Sequence, residues 1–108
     1  MQELPLLIAA DHPAYAGHFP GQPLLPGVVL LAEVLQAVLA DAGHAALLGP
    51  APRLAMVKFL RPVRPGDVLR LRLQLQLQHA AGAQRLSFEL RCAAHLVASG
   101  QFDATPPA

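Results

Sequence analysis

The chain has 108 residues, enough for one domain and a thin core. Hydrophobic residues make up 54% and charged residues 14%, against about 25% charged in an average soluble domain, so disorder is excluded. Eight Lys and Arg against seven Asp and Glu give a net charge of +1 with no basic stripe, which argues against nucleic acid as a partner.

Each apolar stretch is broken by Pro, Gly or a charge well short of the roughly 20 residues of a membrane span, so no membrane role is expected. The N-terminal MQELPLLIAADHP carries an acid where an export signal has a base. A cytoplasmic location is expected. Cys92 is alone, which leaves no internal disulfide and no cysteine cluster for a metal. Low charge on a small body also implies that apolar surface is covered by a partner, and a second copy is the simplest one.

In chain order, Leu4 to Ala9 reads as an edge strand, and Asp11 to Pro26 is too rich in Gly, Pro and His for a regular element. Gly27 to Ala40 follows as a helix, with Pro26 placed where its fixed φ suits a helix start. Only Glu33 and Gln36 interrupt its apolar surface, which predicts burial on most faces. Gly43 to Pro52 is expected to be a loop and Arg53 to Leu60 a strand, stopped by the turn Arg64-Pro65-Gly66-Asp67.

From Val68 to Gln78 leucines alternate with Arg and Gln, the pattern of an antiparallel strand with one wet face. His79 to Ala83 makes a loop. Leu86, Phe88, Leu90 and Cys92 resume the period, and Ala94 to Phe102 closes the set with a bulge expected at Gly100. The tail from Asp103 to Ala108 is expected to fray. One long apolar helix and several antiparallel strands imply an α+β fold, a sheet folded around the helix, as a single domain over 1–108.

Two stretches carry a resemblance. Gly17-His18-Phe19-Pro20-Gly21-Gln22-Pro23-Leu24-Leu25-Pro26-Gly27-Val28 resembles the active-site signature of the β-hydroxyacyl-acyl-carrier-protein dehydratases, which have the hotdog fold. Lys58-Phe59-Leu60-Arg61-Pro62-Val63-Arg64-Pro65-Gly66-Asp67 resembles the strand and turn of the same family, in the same order along the chain. In length and in the lead-in HPAYAGHFPG the chain is similar to the small dehydratase-like proteins of aryl-polyene-type gene clusters.

The resemblance implies a dimer acting on a 3-hydroxyacyl thioester of acyl carrier protein or coenzyme A, with no metal and no organic cofactor. It makes His18 the base at C2 and the Gly27 N–H the donor to the thioester oxygen, with Phe19, Pro26, Gln36 and Phe59 around the acyl group. The carboxylate that this family places on the helix falls at Ala32, one residue before Glu33. Three readings stay open: Glu33 serves as the acid; Gln36 holds a water for thioester hydrolysis; or the chain binds acyl groups without turning them over. His12 and His18 lie six residues apart without the further ligands a metal requires. His44, His79 and His95 read as surface residues, and Cys92 as a small core residue.

Overall fold

Alternation builds the sheet. In the computed structural model, which describes residues 2–15, 25–49, 51–77 and 84–104, five strands are present: β1 (Gln2–Leu6), β2 (Arg53–Phe59), β3 (Leu69–Leu77), β4 (Gln84–Cys92) and β5 (His95–Asp103). They form one antiparallel sheet in the order β1-β3-β4-β5-β2. Leu69, Leu71 and Leu73 of β3 lie opposite Cys92, Leu90 and Phe88 of β4. Together with Leu86, Val97, Ala98 and Phe102 they make one buried face, on which the Phe88 and Phe102 rings stack 5.4 Å apart. The stripe runs past the core at its far end, where Leu75 is exposed.

Helix α1 (Gly27–Leu39) covers that face with Leu30, Val34 and Val38, one helical turn apart. The α+β architecture expected from the sequence is the one observed. Burial of α1 on most faces is not: Val28, Ala32 and Gln36, again one turn apart, form an exposed stripe with Val28 at 74%. A single sheet covers only one side of a helix.

Five further expectations are corrected. The first strand is Gln2–Leu6, not Leu4–Ala9, because the chain leaves β3 at Leu7, which is 84% exposed. The expected loop after Gly43 is instead a helix, α2 (Ala42–Leu48). Asp41 accepts hydrogen bonds from the Gly43 and His44 N–H groups and so caps α2. Gly49, at φ 76°, closes α2 in the left-handed region. His44 therefore faces partly inward, 17% exposed, with Nδ1 buried 4.0 Å from Asp41.

Gly100 is no bulge. It pairs in register with Val57 and Phe88, and the irregularities fall at Leu54/Met56 and Leu90/Arg91. Asp103 is held rather than frayed: Arg85 donates to both of its oxygens, and the Ala104 N–H donates to the Gln84 carbonyl. The Arg85 guanidinium holds the Asp103 carboxyl below its ordinary pKa. Residues 79–83, expected to be a loop, lie outside the described residues. Cys92 packs partly buried against the core. No single described helix is long and apolar enough to cross a membrane.

Candidate active site

The start of α1 is the chemical end of the helix. Its cap is Pro26, whose φ of −59° is preset and whose carbonyl accepts from the Val29 and Leu30 N–H groups. Gly27 is the first helical residue. Among the described residues no acceptor takes its N–H, so a donor backed by the helix dipole is left for a ligand.

Phe59, the last residue of β2, lies over that glycine. A Cβ added at Gly27 would meet three ring carbons at 3.1–3.2 Å, so the bare glycine is what lets the ring approach. Beside them opens a cleft of about 290 Å³ lined by Leu25, Gly27, Leu30, Phe59, Arg61 and Val63, among others. The Leu25 N–H donates to the Val63 carbonyl at 2.9 Å, tying the approach to α1 to the segment after β2. The described end of the first resembling stretch, residues 25–28, thus meets the second in space.

Glu33 has a partner that the sequence did not suggest. Its Oε1 lies 3.2 Å from Nε2 of His12, with both side chains about one quarter exposed. Ala32 and Gln36 sit on the exposed stripe of α1, and neither they nor Glu33 line the cleft. One residue along a helix is a turn of about 100°, which separates Glu33 from the direction of Ala32. His18 and Phe19 lie outside the described residues.

A hollow of about 280 Å³ lies at Arg72, Leu73, Gln74, Ser87, Phe88 and Glu89. It is mid-strand, where backbone N–H groups are spent on the sheet, so it offers no donor comparable to Gly27. Arg70 and Arg72 both donate to Glu3 and hold its carboxyl below the usual carboxylate range. Burial, with a smaller effect from Asp67, raises the Tyr15 phenol. Among the described residues no group of three His, Cys, Asp or Glu side chains is placed to hold a metal.

Residues 2–101 match the family model described as ApeI-like, ApeI dehydratase. The chain belongs to the ApeI-like dehydratase family. Curated relatives agree with that placement. A 3-hydroxyacyl-[acyl-carrier-protein] dehydratase FabZ of Chloroflexus aggregans is 42% identical over 74 residues, which are 65% of this chain and 51% of the relative. A FabZ of Alkaliphilus metalliredigens is 36% identical over 98 residues, 82% of this chain and 67% of the relative. The chain thus spans about half to two thirds of the length of these relatives.

Among solved structures, the dehydratase heterocomplex ApeI:P from Xenorhabdus doucetiae superposes with a TM-score of 0.66 at 26% identity, covering 95% of this chain and 86% of that one. A fluoroacetyl-CoA-specific thioesterase, FlK, reaches the same TM-score at 10% identity and shares the fold alone. The matched residues span both sequence motifs. It leaves the His12–Glu33 contact to be read from the structure.

Proposed function

We propose that this ApeI-like chain removes water from a 3-hydroxyacyl thioester on acyl carrier protein to give the trans-2-enoyl thioester, in fatty-acid-like or polyene biosynthesis. The observation that carries the reading is the cleft at the start of α1, where the Gly27 backbone and the Phe59 ring meet in a largely apolar lining. An acyl thioester needs such a lining for its chain and a fixed N–H for its oxygen.

In this reading His18 takes the C2 proton. The C2–H electron pair becomes the second bond between C2 and C3, and the C3–O bond breaks. Glu33 gives its proton to the departing hydroxyl, which leaves as water. Return of the proton from His18 to Glu33 resets the site. The Gly27 N–H donates to the thioester oxygen while that oxygen carries the developing charge, with Pro26 and Phe59 bounding the acyl group. The thioester itself acidifies C2, so no step calls on a metal or an organic cofactor.

The working unit is a pair of chains in the cytoplasm, joined along β2. Among the described residues that strand pairs only with β5, and Leu54, Met56, Phe59 and Leu60 along and just beyond it are 39–53% exposed. The exposed stripe of α1 adds Val28, 74% exposed, to the uncovered apolar side chains. The Xenorhabdus relative is a heterocomplex, so the mass of the assembly in solution distinguishes a second copy from a different chain.

The test is to incubate the protein with 3-hydroxyacyl thioesters of acyl carrier protein and of coenzyme A and to weigh the acyl group by mass spectrometry. Loss of one water is expected, and His18→Ala should lower its rate by about 10²- to 10⁴-fold. Release of a free acid would replace dehydration by hydrolysis. An unchanged thioester would leave acyl binding without turnover.

A further inference from the structure

The chemistry of the Glu33 contact is decided by what holds His12. The His12 N–H donates to the Ala9 carbonyl, and the His12 carbonyl accepts from the Tyr15 N–H, both at 3.0 Å. The Ala14 N–H donates to Nδ1 of the ring at 3.0 Å. Tyr15, buried in the core, stands edge-on to the imidazole with the ring centres 6.4 Å apart. A ring nitrogen that accepts a backbone N–H has no room for a proton of its own. The proton of the neutral ring therefore sits on Nε2, 3.2 Å from Oε1 of Glu33.

We propose that His12 is a positioning residue for Glu33: the Ala14 amide fixes the imidazole as its Nε2–H form, and that N–H fixes the Glu33 carboxyl for proton delivery. The inference rests on the reading of Glu33 as the acid of the dehydration and adds the group that aims it. When Glu33 is protonated, its Oε1 is the carbonyl oxygen that accepts from His12, and the proton is left on Oε2. That is the oxygen with no partner among the described residues. After the proton leaves, Oε1 keeps its donor. A glutamate side chain on a helix surface otherwise samples many rotamers, most of them unproductive. His12 is tethered through backbone on both sides of its turn, so it holds the carboxyl from a fixed point.

The experiment measures kcat and KM for dehydration in the wild type, His12→Ala, His12→Gln, Glu33→Gln and the double variant His12→Ala/Glu33→Gln. His12→Ala should lower kcat by about 10- to 100-fold with KM changed less than about twofold. His12→Gln, whose amide N–H can reach Oε1, should recover most of that loss. In the Glu33→Gln background, His12→Ala should cost nothing more. Additive losses in the double variant, or equal losses in His12→Ala and His12→Gln, would overturn the proposal.

Nitrogen-15 spectra of the His12 ring supply a readout apart from turnover. A proton on Nε2 and none on Nδ1 is expected, and a proton on Nδ1 overturns the assignment even where a variant fails to fold. If the protein dehydrates and Glu33→Gln matches the wild type, this inference fails together with the acid role of Glu33, while dehydration itself stands. If no thioester loses water, the proposed function fails, and this inference with it.

Discussion

Gly100→Ala tests how tightly the sheet is packed against itself. Gly100 lies in β5 between Val57 of β2 and Phe88 of β4, and its φ is not positive. The backbone conformation is therefore open to alanine, and shortening the list of unfolded conformations would on its own stabilise the fold by about 0.4–1 kcal/mol. Space works the other way. A Cβ at this position would stand 2.5 Å and 2.8 Å from two carbons of the Phe88 ring and 2.6 Å from the Met56 carbonyl oxygen.

Neither neighbour yields easily. Phe88 is 3% exposed and stacked on Phe102, while the Met56 carbonyl belongs to the backbone of β2. Overpacking of this kind costs about 1–3 kcal/mol, and two obstructed directions put the expectation at the upper end. After the entropic gain, a net loss of about 2 kcal/mol should lower Tm by about 8–16 °C for a domain of this size. Thermal unfolding followed by circular dichroism measures it. Phe88→Leu in the Gly100→Ala background should return part of the loss, since it clears the ring and leaves the Met56 carbonyl in place. A Tm within about 2 °C of the wild type would show that β2 and β4 move apart freely, and would refute the argument from packing.

Three further outcomes follow from the site and its surroundings. Gly27→Ala should leave Tm nearly unchanged, because the Phe59 ring is 47% exposed and can move by a few tenths of an ångström, yet lower kcat/KM by about tenfold as the ring shifts in the cleft. Ala32→Glu should fold normally on the exposed stripe of α1 and bring no rise in dehydration rate, whereas a clear rise would show that Glu33 does not supply the acid. Asp103→Asn should lower Tm by a few degrees at neutral pH. Since the Asp103 carboxyl is held below its ordinary value of 3.8, the gap between wild type and variant should be full above that value. It should close as the pH falls through the lower folded-state value, which parallel melts over an acid series would record.

The sheet was legible wherever alternation was strict: Leu69, Leu71 and Leu73, then Leu86, Phe88 and Leu90, point inward as their spacing predicts. Legibility failed where one residue type serves two opposite ends. Asp41 stops one helix and starts the next, and its second role shows only in the two N–H groups it accepts. Gly100 suggested a backbone irregularity, but its cause lies in a ring on the neighbouring strand. At the site, Gly27 and Phe59 came from the resemblance alone, and the structure brings the two into contact. The partner of Glu33 was out of reach. His12 is 21 positions away, at the end of a turn whose direction no periodicity encodes.

The two outer strands of the sheet have unlike edges, and this sets a limit on assembly. In β1, Pro5 has no N–H to offer an incoming strand, and Glu3 is engaged by Arg70 and Arg72. β2 carries no proline and shows apolar side chains. Growth by strand addition is thus capped on one flank and open on the other. Two chains that meet at their open flanks consume both, and the doubled sheet ends on a blunted strand at either side. In the proposed pair, strand addition therefore ends at two chains and does not run on into fibres.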